Sequence, residues 1–249
     1  MKDYEKYDGY SFTNTGKMFL NFALGTYRRT EKELINILNQ YPFDKIMFDT
    51  AFRYGNEKDV ANAIIKSNYP KENVMYIGKI NTKQQESNKS IRQEFFDTLK
   101  RLNLKKIDIY LIHSDRSKKI IDTWKEIIKL QNIGLIDIIG VSNFSQESIL
   151  RLYENTSVFP EIVQLSYSTK DSDKQQTKLI QFCEENKIHI QIASPFGGEE
   201  NSKKLTSNEK SLLIKSFHKK GFSCVFGTTK INHLCENLSW LNDEGWAND

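Results

Sequence analysis

Eight short, mostly apolar runs, each followed by a stretch with apolar residues at helical spacing, predict an α/β chain. The expected fold is a closed (β/α)8 barrel of the TIM-barrel type behind an N-terminal β-hairpin. Length agrees: 249 residues suit one such barrel, which takes about 250. The runner-up, an open doubly wound sheet, lacks its Gly-x-Gly-x-x-Gly signature after the first strand. No Pro-, Gly- or Ser-rich linker interrupts the alternation, so residues 1–249 read as one domain.

The elements follow in order. Apolar runs at 10–12 and 18–22 flank the turn formers Thr13-Asn14-Thr15-Gly16-Lys17, which predicts the hairpin. A strand at 22–27 leads to a helix at 31–40, with Thr30 as its cap and Pro42 marking its end. The pattern then repeats as strand and helix: 45–49 and 56–66, 74–80 and 87–102, 107–113 and 119–131, 136–142 and 146–153. It continues as 162–167 and 174–186, 188–193 and 208–219, 223–228 and 233–241. The strands are nearly continuous in apolar character, as parallel strands covered on both faces must be. Asn56 reads as an N-cap by residue type, and Ser145 as another. The longest loop, 195–207, contains Gly197-Gly198 and lies after the seventh barrel strand, on the face where barrels carry chemistry.

Composition excludes several classes. The net charge of +4 comes from 36 basic and 32 acidic side chains without a long block of one sign, which argues against a nucleic-acid partner. No apolar run reaches the ~20 residues of a membrane span. Cys183, Cys224 and Cys235 are odd in number and irregular in spacing, without Cys-x-x-Cys, so neither a disulfide framework nor a metal site is expected. With a polar N-terminus, Met1 to Lys6, these features predict a cytoplasmic protein.

Chemistry concentrates at the strand ends. The stretch from Phe48 to Glu57 places a carboxylate, Asp49, and a phenol, Tyr54, between a strand and the next helix. The following strand carries Lys79 in an otherwise apolar run, and the next one ends in His113. Singly, each has a structural explanation: a loop acid bonding backbone, a snorkelling lysine, a satisfied core histidine. In a closed barrel, however, successive strand ends meet at one mouth. An ammonium beside Tyr54 would lower its pKa from about 10, Asp49 would hold that ammonium, and His113 would orient a carbonyl oxygen. Ser142, Asn143 and Gln164 offer uncharged donors and acceptors suited to a carboxamide. Gly227 and Thr228 lead into the last helix, where barrels place phosphate.

These residues, in order and spacing, resemble the aldo-keto reductase family. The resemblance rests on Gly25-Thr26-Tyr27, Asp49 to Glu57, Lys79, Leu111-Ile112-His113, Gly140 to Phe144, Gly227-Thr228-Thr229 and Glu236-Asn237-Leu238. It implies a nicotinamide-dependent carbonyl reductase with a tetrad of Asp49, Tyr54, Lys79 and His113. Tyr54 would be the proton donor. Gly25, Thr26, Ser142, Asn143, Gln164, Ser194, Gly227, Thr228, Glu236 and Asn237 would contact the cofactor. NADPH is the family default, with NADH as the alternative. The substrate would be a small carbonyl or sugar-like molecule; oligomeric state is left undetermined. The chain also departs from the family. Ala193 stands where an aromatic often stacks on the nicotinamide, before Ser194-Pro195. Gly227 and His233 stand where NADPH-selective members often carry Lys and Arg, with Lys230 as a nearby replacement. A short tail after Leu241, including Trp246, implies an open substrate mouth. Two other readings are a cofactor-binding regulatory protein with little turnover and a lyase or isomerase using Lys79 as a Schiff base.

Overall fold

A computed structural model of the chain describes residues 9–167 and 174–238. The hairpin pairs β1 (Tyr10–Phe12) with β2 (Met18–Leu20) antiparallel, Tyr10 opposite Leu20. The barrel strands are β3 (Phe22–Gly25), β4 (Ile46–Asp49), β5 (Val74–Ile80), β6 (Ile107–Ile112), β7 (Ile136–Ser142), β8 (Ile162–Ser166), β9 (His189–Ala193) and β10 (Ser223–Phe226). All pair parallel, and β10 pairs with β3 to close the ring.

Helices α1 (Glu31–Leu38), α2 (Glu57–Lys66), α3 (Thr82–Gln85), α4 (Ile91–Leu102), α5 (Ile120–Asn132) and α6 (Gln146–Thr156) cover one arc of the ring. The others are α7 (Lys174–Glu185), α8 (Glu199–Ser202), α9 (Ser207–Lys219) and α10 (Ile231–Asn237). Two differences from the sequence reading have local causes. The helix expected over 87–102 begins only at Ile91, where the Ser90 side chain accepts an amide hydrogen bond and caps it, and a separate short helix, α3, capped by Asn81, precedes the expected span. The loop after β9 contains the single turn α8, with Gly197 and Gly198 both at positive φ before it. The 241 end of the last predicted helix, like Trp246, lies outside the described residues.

Side chains alternate along each strand, so the barrel has two apolar cores. One lies between strands and helices, and includes Trp124, Phe95, Tyr110 and Ile127. The other fills the barrel interior: Phe19, Ala23, Met47, Ile77, Ile109, Leu111, Ile138, Ile162 and Val225. The hairpin supplies Phe19, which plugs the lower end edge-on to His189 at 4.8 Å. Buried Glu161 secures that plug. Its carboxylate accepts from the Thr15 hydroxyl, from Lys17 Nζ at 3.0 Å, from Gln131 Nε2 at 2.7 Å and from the Ile139 amide at 3.1 Å. Gly140 makes the β7–β8 approach possible, since a Cβ there would stand 2.3 Å from the Ile162 carbonyl oxygen. With the bottom filled, the inward positions at the strand C-terminal ends are left for polar groups.

Candidate active site

The inward-facing rows that are apolar below become polar above. Met47 is followed on its face by Asp49, Ile77 by Lys79, Leu111 by His113, Gly140 by Ser142 and Ile162 by Gln164. The four candidate tetrad residues therefore arrive from three adjacent strand ends. Lys79 is fully buried, and its Nζ donates to Asp49 Oδ2 at 2.5 Å and to the Thr50 carbonyl at 3.2 Å. Asp49 is also buried. A 3-10 turn over Phe52–Tyr54, closed by Gly55 at φ +73°, swings Tyr54 back over the strand end. The Tyr54 hydroxyl lies 3.5 Å from Asp49 Oδ1, and Lys79 Nζ lies 5.4 Å from its ring centre. The His113 ring meets the Tyr54 ring nearly perpendicular, centroids 5.8 Å apart. Its Nδ1 is buried without a hydrogen-bond partner among the described residues. Tyr27 packs against the other side of Tyr54 at 5.2 Å.

The electrostatics correct one expectation. The net shift at Tyr54 is upward, not downward. Burial, then the adjacent Asp49 carboxylate, hold the phenol well above its ordinary value. The ammonium is already matched by Asp49, and the same carboxylate that holds it also faces the phenol. Burial lowers the Lys79 pKa while Asp49 opposes that shift. Burial, with Lys79 and Arg53 nearby, lowers His113 to about 3. The site at neutral pH thus presents a protonated phenol and a neutral imidazole.

Gln164 does something the sequence did not reveal. Its Nε2 donates to Asp49 Oδ2 and to Gln191 Oε1, both at 2.8 Å, while its Oε1 accepts from Ser142 Oγ at 3.1 Å. It fastens Asp49 as well as facing the group of amides. Gln191, fully buried, was missed; its inward parity with Ala193 was the available signal. Asn143, at φ +54°, donates to the His113 carbonyl and to Ser142 Oγ at 3.0 Å. Ser194, at φ +53°, sits at the end of β9, its amide bonded to the Val225 carbonyl at 3.0 Å. Ala193 is half-buried beside Ser166 in the β8–β9 register.

A second group lies where the barrel closes. Gly25 pairs with Asp49, and the buried Thr26 hydroxyl donates to the Asp49 carbonyl at 3.0 Å. Asn56 stands at the N-cap of α2 but its side chain does not cap. Instead Nδ2 donates to the Thr26 and Arg29 carbonyls at 2.6 and 2.9 Å, tying the first βα loop to the second. Gly227, Thr228, Glu236 and Asn237 share a cavity of about 90 Å³ with His233, Phe196 and Lys210. Lys230, the alternative cation, is not among the residues lining it; its amide bonds Thr228 Oγ1. Its lining combines the Thr228 and Ser207 hydroxyls, the Asn237 amide and the Lys210 ammonium, suited to a phosphate-bearing group, with one carboxylate, Glu236.

The model of the aldo/keto reductase family matches residues 28–239. The chain belongs to that family. Among its relatives are the 9,11-endoperoxide prostaglandin H2 reductase of Trypanosoma cruzi, 32% identical over 69% of this chain and 59% of that protein. Another is the methylglyoxal reductase DkgA of Escherichia coli O157:H7, 30% identical over 72% of this chain and 64% of that protein. A third is the glyoxal reductase of Bacillus subtilis, 28% identical over 85% and 75%. The chain thus spans less than two thirds of the length of the first two. The crystal structure of an aldo/keto reductase from Brucella melitensis superposes with a TM-score of 0.80 at 23% identity, over 94% of this chain and 92% of that one. That agreement concerns the fold alone, a closed barrel of eight parallel strands with helices between them. Among the described residues no helix is long and apolar enough to cross a membrane.

Proposed function

We propose that the chain is a nicotinamide-dependent reductase of small aldehydes or ketones. The observation that carries this reading is the buried Lys79–Asp49 pair directly beneath the Tyr54 hydroxyl, with the uncharged His113 ring at its side. The related glyoxal and methylglyoxal reductases make small dicarbonyl compounds the first substrates to test.

The residues divide the work by their chemistry. A cofactor would rest with its carboxamide toward Ser142, Asn143 and Gln164 and its phosphates toward Thr228 and the cavity around His233. When bound, the nicotinamide supplies the hydride. Tyr54 holds its proton at neutral pH because burial and Asp49 raise its pKa, so it stands ready to protonate an oxygen as negative charge develops there. As the phenol loses that proton, the Lys79 ammonium 5.4 Å from the ring centre favours the phenolate. Asp49 and the Thr50 carbonyl keep that ammonium in place, and Gln164 keeps Asp49 in place. A neutral His113 donates a hydrogen bond to the carbonyl oxygen without competing for its proton. NADPH is the expected cofactor.

Reduction of methylglyoxal, followed by loss of NADPH absorbance, tests the reading. Tyr54→Phe should lose about a hundred- to ten-thousand-fold in kcat with nucleotide affinity kept. Unchanged turnover in that variant rules out Tyr54 as the proton donor. A second reading, a nucleotide-binding regulatory protein, is favoured by Ala193, which offers no aromatic face at the end of β9. NADPH binding by wild type without turnover of any carbonyl would select it.

A further inference from the structure

Arg29 lies at the seam where β3 meets β10. Its backbone is fixed from two sides: the amide donates to the Thr26 carbonyl at 2.9 Å, and the carbonyl accepts from Asn56 Nδ2 at 2.9 Å. The side chain crosses the seam, so that Nη2 stands 3.6 Å from where a Cβ of Gly227 would be. Its Nε–H is buried with no acceptor, and the guanidinium makes no ion pair within 4.0 Å among the described residues. Glu33, the carboxylate that feels its charge, accepts instead from the Thr30 amide and hydroxyl in the α1 capping box. A guanidinium cannot shed its proton, and buried donors without acceptors are unfavourable until an anion completes them. Gly227 leaves space for that anion, next to the cavity lined by Thr228, Lys210 and His233; Glu236, also in that lining, is bonded to the Ser207 hydroxyl at 2.6 Å.

We propose that Arg29 is the phosphate-binding cation of the nucleotide site, acting across the barrel seam in the space that a side chain at residue 227 would fill. The inference rests on the dinucleotide reading above. The planar fork of Arg matches a pair of phosphate oxygens, and a short loop fastened by Asn56 keeps it pre-aimed. Two phosphoryl groups qualify: the 2′-phosphate of NADPH, and the diphosphate that NADPH and NADH share.

Calorimetric titration of NADPH and NADH into wild type, Arg29→Ala and the double variant Arg29→Ala/Gly227→Lys decides the matter. Arg29→Ala should weaken binding about 10- to 100-fold. A loss confined to NADPH assigns Arg29 to the 2′-phosphate; an equal loss for both assigns it to the diphosphate. Gly227 is not in the left-handed region, and once Arg29 is shortened only the Gly25 carbonyl, at 3.4 Å, crowds a new side chain. The double variant should therefore recover part of the lost affinity, which a merely damaged loop would not. Equal dissociation constants in wild type and Arg29→Ala, for both nucleotides, overturn the inference and leave the reductase reading standing. Wild type that binds neither nucleotide overturns both.

Discussion

The Asp49–Lys79 pair offers the sharpest stability test, because its two halves are unequally supported. Lys79 is fully buried, and without Asp49 its only remaining acceptor among the described residues is the Thr50 carbonyl at 3.2 Å. Asp49, without Lys79, keeps the Gln164 amide at 2.8 Å and the Tyr54 hydroxyl at 3.5 Å. Removing one partner of a buried pair costs about 3–5 kcal/mol, because the other charge is left uncompensated. Asp49→Asn should fall near the upper end of that range, at about 4–5 kcal/mol, and Lys79→Met near about 3 kcal/mol. The double variant should cost clearly less than their sum, with a coupling of at least about 2 kcal/mol. Urea unfolding of the four proteins at pH 7 measures this. The pH dependence supplies a second sign. Burial already lowers the Lys79 pKa, and loss of Asp49 lowers it further. In Asp49→Asn the unfolded chain then binds a proton that the folded chain lacks, between the lowered folded value and the ordinary 10.5. Stability therefore falls as pH drops through that window, and the deficit of Asp49→Asn should shrink as pH rises from 7 to 9.5. Additive single variants, with a deficit independent of pH, would refute the claim that this pair is a coupled, desolvated unit.

Three other outcomes follow from the geometry. Glu161→Ala removes the acceptor of four donors at the barrel floor, leaves the Ile139 amide buried without a partner, and should lower stability by about 2–4 kcal/mol in urea while leaving NADPH affinity unchanged. Gly140→Ala drives a Cβ to 2.3 Å from a backbone carbonyl and 2.8 Å from Leu111, and should abolish soluble, cooperatively folding protein; a thermal transition within a few degrees of wild type would contradict it. His113 and His189 both have folded pKa values lowered by burial from 6.5 to about 3, so the stability they contribute is present above pH 6.5 and lost as pH falls toward 3. Imidazole NMR shifts should show both rings uncharged at pH 5, and a ring that titrates near 6.5 would contradict the burial argument.

Much of the site was legible before folding. Each apolar run ends at a polar group, so Asp49, Lys79, Ser142 and Gln164 could be assigned to the mouth from their positions on their own strands. Tyr54 was placed the same way, in the loop between the Asp49 strand and the next helix. Asn56 was the exception: its residue type suggests a cap, yet its amide was claimed by the carbonyls of Thr26 and Arg29 from another loop. Capping residues are read from local spacing, and nothing local announces a competing partner 30 residues away.

The sequence by itself determined the eight strand–helix units, the hairpin before them, and the identity and order of the polar residues at the strand ends. It could do so because helix and strand periodicity, caps and turns are properties of neighbouring residues. Only the tertiary structure decided how those residues act on one another. Ring closure joins Gln164 to Asp49 across 115 positions and brings Arg29 against Gly227 over the β3–β10 seam. Desolvation and the nearby carboxylate, not the lysine, set the direction of the Tyr54 shift. Burial and the distance between charges are sums over the whole surrounding fold, and no stretch of sequence contains that sum.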